Sequence, residues 1–298
     1  MPVTIDQNSL PAHVTVGDSL NAISPFKHHW LKAQNTMPLL KLDIQDLNLE
    51  QLIKDTVASM EQFGSWNYRI GMQEGQVKHD AGYGGIGLTY NPTHTELTTA
   101  DIHEQVQGNP LLAGTQGPGN PFSGPRGNNA VKNSYYDTYG LAYRTPASRY
   151  RYLGTFLDRC QRTMVRSAVR IIYAENEGPV RPGEGRYAGV TWHTDEPMFE
   201  NLRVNIPLVT DPIFVLEQQG HAPVHLEAGY AYSWDTNIRH RAYATKKEHK
   251  HRIHLMLGFS CWWDFDENTA TWTQNEYFGK MHPKDMLASG LVISGVAL

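Results

Sequence analysis

LRVNIPLVTDPIFVLEQQGHAPVHLEAGYAYSWDTNIRHRAYATKKEHKHRIHLMLGFSCWWD, residues 202–264, is the stretch that decides the fold. Its apolar residues come in short runs rich in β-branched and aromatic side chains, separated by polar, glycine- or proline-containing breaks, as strands joined by turns would be. Strands are expected over 202–210, 213–218, 222–227, 230–235, 242–246 and 252–264, and RSAVRIIYAE adds another over 166–175. Strands at such close spacing predict an antiparallel sandwich or barrel of the jelly-roll kind. In the 202–208 run, Leu202, Val204, Ile206 and Leu208 fall on one face and Arg203 and Asn205 on the other; Ile253, Leu255 and Leu257 likewise oppose Arg252 and His254. The polar faces are either wet or turned inward to line a polar cavity.

Working outward, helices are expected on both sides of residue 100. Leu47, Leu49, Leu52, Ile53, Val57, Met60 and Phe63 recur at three- and four-residue spacing, with Asn48 as a cap and Gly64 as a stop. Thr145-Pro146 opens a second helix that buries Tyr150, Leu153, Phe156, Leu157 and Cys160. Between them, residues 107–134 hold six glycines and four prolines. A loop of that length is either a surface connection or a lid over a site. The expected organisation is an irregular N-terminal arm over 1–45 and a single domain over 46–273. That domain comprises helical supports at 46–64 and 145–163, the loop at 107–134 and a jelly-roll core over about 165–264. A helical C-terminal extension follows over 274–298. The fold class is thus mainly β with flanking helices on a double-stranded β-helix (jelly-roll, cupin-like) core.

Composition narrows the function. With 298 residues the chain can build a large core. Lys+Arg 26 against Asp+Glu 30, a net charge of -4, excludes the basic profile of a general nucleic-acid binder and supplies no patch for anionic membrane. Two cysteines, Cys160 and Cys261, make neither a disulfide framework nor a C-x-x-C pair. No apolar run is long enough for a membrane span and no signal-peptide pattern opens the chain. A cytoplasmic protein with a small or specific partner is expected. Histidine, at 14 residues, is the abundant functional side chain.

In TWHTDEP, His193 and Asp195 stand two apart, so on an extended segment both point the same way. SWDTNIRHRAYA adds His240, and Arg252 follows twelve residues later. His-x-Asp with a distant histidine is the arrangement of two imidazoles and one carboxylate that takes one face of an octahedral iron(II) and leaves three positions open. A bidentate co-substrate and dioxygen fit that open face, and an arginine beyond the second histidine offers a fork-shaped cation for a distal carboxylate. Zinc accepts the same ligands, but H-E-x-x-H is absent and no cysteine is near. Taken alone, His193 and Asp195 could be a surface pair, and His249, His251 and His254 form an alternative metal cluster. KKEHKH reads instead as a solvated turn.

These segments resemble the aspartyl/asparaginyl β-hydroxylase-like family of iron(II)/2-oxoglutarate-dependent oxygenases, which includes small proline hydroxylases. The likeness runs from about Lys132 to Trp263 and rests on SYYDTYG, RSAVRIIYAE, WHTDEP, LRVNIPL, AGYAYSWDTNIRHRAYA and HRIHLML. It implies that His193, Asp195 and His240 bind Fe(II) and form the catalytic centre, with 2-oxoglutarate and O2 as co-substrates. Arg252 would hold the distal carboxylate of 2-oxoglutarate. Arg203 matches an arginine of the family's R-x-H-x-P-L strand near the co-substrate, and Asn205 stands where many members carry histidine. The spacing from His240 to Arg252 implies a bulge or turn near Lys246-Lys247. For substrate, Trp192, Arg239, Tyr243 and Arg170 flank the ligands or lead toward them. Such a cationic, aromatic site would suit a carboxylate-bearing amino acid or an amino-acid side chain in a peptide, which the resemblance also implies. The implied reaction is hydroxylation of an unactivated carbon. The alternatives are a jelly-roll metal-binding or structural protein without oxygenase activity, or a desaturase or demethylase acting on a small metabolite.

Overall fold

A computed structural model of the chain describes residues 13–15, 39–63, 66–70, 79–90, 142–175, 187–196, 198, 201–269, 271–278 and 280–298. In chain order, β1 (His13–Thr15) and β2 (Leu40–Ile44) precede helix α1 (Leu49–Phe63). Strands β3 (Trp66–Ile70), β4 (His79–Gly87), β5 (Thr89–Tyr90) and β6 (Tyr143–Arg144) follow. A 3-10 turn (Ala147–Arg149) leads into α2 (Arg151–Leu157) and the short β7 (Thr163–Met164). Then come β8 (Ala168–Tyr173), β9 (Tyr187–His193), β10 (Leu202–Val209), β11 (Phe214–Gln218), β12 (Ala231–Ser233), β13 (His240–Ala244) and β14 (His251–Ser260). The chain closes with β15 (Trp263–Asp266), β16 (Thr271–Gln274), α3 (Pro283–Ala288) and β17 (Val296–Ala297).

From β8 to β14 the chain alternates between two antiparallel sheets. The major sheet has the order β12-β10-β14-β8 at its centre, and the minor sheet the order β11-β13-β9, with a bridge from Leu216 to Val224 beyond β11. Successive strands that cross between two facing sheets make a jelly roll, the double-stranded β-helix. The expected strand over 222–227 is reduced to that single bridge. The major sheet is wider than the core: β2 and β17 extend it past β12, and β4 and β3 past β8.

Two expectations at the chain ends are corrected. Leu40–Ile44 is a strand of the major sheet, not part of an irregular arm; its Leu-Lys-Leu-Asp-Ile alternation pairs with β12 on one edge and β17 on the other. Among the described residues of 274–298, helix is confined to Pro283–Ala288, and the segment returns as β17 to the same sheet edge. The helix expected over 145–163 is broken as well. Arg151 has φ 43, so the 3-10 turn and α2 meet at a kink, and α2 ends at Leu157. The loop at 107–134 lies outside the described residues.

The apolar faces of the major sheet point to the helices. Leu202, Val204, Ile206 and Leu208 of β10, and Ile253, Leu255, Leu257 and Phe259 of β14, share one cluster with Leu52 and Met60 of α1 and Leu153, Phe156 and Leu157 of α2. Each fully buried side chain of this size contributes about 1.5–3 kcal/mol. Asn48 caps α1 as expected, its Oδ1 accepting the Gln51 N–H at 3.0 Å. Buried Asp55 then accepts the Tyr152 N–H at 2.9 Å, tying α1 to α2. With helices covering that face, the opposite face of the major sheet is left for the minor sheet.

Candidate metal centre

β9 ends at His193 and β13 begins at His240, and these residues are register partners in the minor sheet. Directly opposed residues place their side chains in contact, and the two imidazole rings are 4.3 Å apart between centroids. Below them, Gly189 with φ 135 lets β9 approach β13 closely; a Cβ there would lie 2.2 Å from the Ala242 carbonyl oxygen. Beyond β9, the Asp195 N–H donates to the Thr236 carbonyl at 2.9 Å, turning the chain back across the loop that leads into β13. Asp195 Oδ2 then lies 4.0 Å from His193 Nε2 and 3.8 Å from His240 Nε2. One ligand atom from each of the three falls within 4.8 Å of the others. Among the described residues this is the one such group of metal-binding side chains. The alternative cluster does not form: His249 is exposed and paired with Glu175, His251 is exposed beside Tyr173, and His254 is buried.

The protonation states suit a cation. The Nδ1 of His240 lies 2.9 Å from the Ile238 carbonyl, which can only accept, so Nδ1 carries the proton and Nε2 turns its lone pair toward Asp195. Burial lowers the His240 pKa, and the opposing pull of Asp195 does not cancel this, so the ring is held neutral. Burial acts to raise the Asp195 pKa, but nearby positive charge, Arg203 first and Arg166 with it, outweighs this and holds the carboxylate ionised well below the usual range. The Trp234 ring meets His240 edge-on at 5.8 Å and limits its rotation.

The polar faces of β10 and β14 are turned inward rather than wet. Arg203 is 3% exposed, Asn205 8%, Arg252 8% and His254 2%. Ile172, the register partner of Arg252, packs with Ala188, Phe214 and Ala244 of the minor sheet, which fixes that face as the one between the sheets. Arg170 lies two residues before Ile172 on the same face, opposite His254. Residues 245–250 leave the strand path between β13 and β14, so the extra length from His240 to Arg252 is taken up in a turn. Its Lys250 pairs with Asp211 and Glu248.

Three residues anticipated around the centre take other places. Arg203 is bound to Glu196 at 3.2 Å and donates to the Arg166 carbonyl at 2.7 Å, so these contacts make it a structural ion pair beside Asp195. Trp192 and Tyr243 lie on the outer face of the minor sheet, away from the metal side. There the Arg241 guanidinium stacks 4.3 Å over Trp192 and 5.0 Å over Tyr243, and Glu217 accepts from Arg241 and from the Tyr243 hydroxyl. Strand alternation is the physical reason: His240 and Ala242 point inward, so Arg241 and Tyr243 cannot. Arg239 is exposed in the turn before β13. Glu196, buried between two arginines, was not singled out by the sequence, although it adjoins Asp195 in TWHTDEP.

No protein-family model matches the chain, and no curated protein matches it. Among solved structures it is similar to an oxidoreductase of the 2OG-Fe(II) oxygenase family from Burkholderia pseudomallei, at 11% identity over 80% of this chain and 90% of that one, with a TM-score of 0.33. A likeness of that degree assigns no function.

Proposed function

We propose that the chain is an iron(II)- and 2-oxoglutarate-dependent dioxygenase that hydroxylates an unactivated carbon of an amino acid, or of an amino-acid side chain in a peptide. The observation that carries this reading is the meeting of His193, Asp195 and His240, with ligand atoms within 4.8 Å of one another, beside a buried polar interior. Two imidazoles and one ionised carboxylate fit Fe(II), and three protein ligands leave coordination positions for a co-substrate. The absence of thiolate from the set argues for iron over structural zinc.

His193, Asp195 and His240 would hold the metal, and Arg252 would hold the distal carboxylate of 2-oxoglutarate. Bound iron with 2-oxoglutarate supplies the activation of dioxygen that C–H hydroxylation requires, with succinate and CO2 as co-products. The rest of the work belongs to the chain. The Ile238 carbonyl fixes the His240 tautomer, and Arg203 and Arg166 keep Asp195 anionic. Arg170, two residues from Ile172 on the inward face, is the cation proposed to meet a substrate carboxylate. Asn205, on the inward face of β10, is proposed to border the co-substrate. The proposed partner is a small amino acid or peptide, not nucleic acid or membrane; no described helix is long and apolar enough to cross a membrane.

The test is a screen of free amino acids and peptides for succinate formation from 2-oxoglutarate, with mass detection of products that gain one oxygen atom. Turnover that depends on Fe(II), 2-oxoglutarate and one substrate class supports the proposal. Failure of purified protein to bind Fe(II) or 2-oxoglutarate overturns it in favour of a jelly roll with another role.

A further inference from the structure

The residue after Asp195 makes the densest polar junction around the site. Glu196 is 5% exposed, and both of its carboxylate oxygens are engaged. Oε1 pairs with Arg166, while Oε2 receives Arg203 at 3.2 Å and the Asn201 side-chain amide at 3.3 Å. The main chain of the same residue is tied too: its carbonyl accepts the Thr236 hydroxyl at 2.8 Å, and the Thr236 carbonyl accepts the Asp195 N–H at 2.9 Å. Thr236 therefore links the backbone of Asp195 and Glu196 to the loop that delivers His240, four residues on.

The surroundings are shaped for this carboxylate. Arg166 has φ 44, an uncommon backbone state for a non-glycine residue, and its carbonyl receives Arg203 at 2.7 Å. Gly258, the register partner of Arg203, has no room for a side chain, since a Cβ would lie 2.3 Å from both Asn201 Oδ1 and the Val165 carbonyl. The Ser233 hydroxyl donates to the Arg203 carbonyl at 2.6 Å, linking β12 to the same point. A buried carboxylate with one buried and one half-buried guanidinium is costly to desolvate. Their arrangement around the residue beside a candidate ligand is what a mere packing role would not require.

We infer that Glu196 is a positioning residue for the metal centre: with Arg166, Arg203 and Thr236 it fixes the backbone from which Asp195 projects, so that the three ligand atoms stand ready before a metal arrives. This rests on the reading of His193, Asp195 and His240 as metal ligands. It also gives Arg203 a role different from contact with the co-substrate. Outer partners of this kind commonly change metal affinity 10–100-fold when altered.

The experiment measures metal affinity and geometry without turnover. Wild-type protein and Glu196→Gln are titrated anaerobically with Fe(II), and with Co(II) to record the visible absorption spectrum of the bound ion. Expected for Glu196→Gln is an affinity about 10–100-fold weaker and a shifted Co(II) spectrum in protein that remains folded by circular dichroism. Glu196→Asp should recover part of both. Because Glu196→Gln leaves two arginines short of a partner and could unfold the chain, Thr236→Val serves as the second variant. It removes one hydroxyl bond and should shift the Co(II) spectrum in the same direction with a smaller loss of affinity. Folded variants that bind Fe(II) as wild type does, with an unchanged Co(II) spectrum, overturn the positioning role and leave the metal site standing. A wild-type protein that binds neither ion overturns the dioxygenase reading itself.

Discussion

Arg252 of β14 and Ile172 of β8 are register partners, so a buried guanidinium stands beside the apolar side chain that joins the two sheets. The space between the sheets is where the proposed co-substrate would bring its distal carboxylate toward that cation.

Replacing Arg252 should therefore act on the co-substrate more than on the metal. Arg252→Met is expected to raise the KM for 2-oxoglutarate by about 10- to 100-fold, the loss of a charge-assisted hydrogen bond worth about 1.5–3 kcal/mol. Arg252→Lys should lose less, since the charge remains but the fork does not. Steady-state kinetics and equilibrium 2-oxoglutarate binding check this, with Fe(II) affinity as the control.

His193→Ala and His240→Ala should each abolish substrate-dependent succinate formation and weaken Fe(II) binding by at least about 100-fold, since one of three protein ligands is lost. Near-normal turnover in either variant would remove both residues from the metal assignment. Chelator treatment of the wild type should match the variants, and added Fe(II) should restore only the wild type.

Gly189→Ala should destabilise the chain by about 1–3 kcal/mol through backbone strain at φ 135. The close contact with the Ala242 carbonyl adds to that. The midpoint of chemical denaturation measures the loss. Because Gly189 and Ala242 lie on the strands that carry His193 and His240, metal affinity should fall as well.

Stability without metal should fall as the pH drops below about 6.5, the ordinary histidine value. Burial, with Arg252 and His225 adding to it, holds the His254 pKa well below 6.5, and burial with Lys284 lowers His282 to about 4. The unfolded chain takes up these protons on passing 6.5 while the folded chain does not. Stabilisation is thus complete above that pH and declines toward each folded pKa, by up to about 1.4 kcal/mol per pH unit for each group. His282 also caps α3, its Nδ1 accepting the Lys284 N–H at 3.2 Å, which protonation would end. His282→Asn keeps a capping oxygen without the titration and should flatten part of the slope in urea midpoints measured from pH 7 to 4.5.

Much of the jelly roll was legible because its strands alternate strictly. β10 and β11 coincide with runs expected from 202–210 and 213–218, while the run expected over 252–264 breaks after Ser260, its last residues starting β15 in another sheet; the inward faces carry the residues that alternation assigned to them. β9 was not read as a strand because Tyr-Ala-Gly-Val-Thr-Trp-His contains glycine and little alternation; it is a strand through its partner β13, with Gly189 serving the close approach. β4, with His-Asp-Ala-Gly-Tyr-Gly-Gly-Ile-Gly, is held by β8 and β3 in the same way. At the centre, the pattern of His193, Asp195 and His240 was readable from residue type and spacing. The Glu196 junction was not, since burial of a glutamate depends on Arg203 of β10 meeting Arg166, which comes from the connection between β7 and β8 thirty residues before Glu196. Trp192 and Tyr243 were drawn to the site by closeness in sequence, which on a strand is as often the far side of the sheet.

The division of labour within β10 and β14 has a consequence for how the chain can change. One row of residues, Leu202 to Leu208 with Ile253 to Phe259, is committed to the seam with the helices. The interleaved row that includes Asn205, Arg252 and His254 is not part of that seam. Exchange along the second row would alter the polar lining between the sheets while the hydrophobic seam stays whole. A framework of this kind can be relined with its architecture left unaltered.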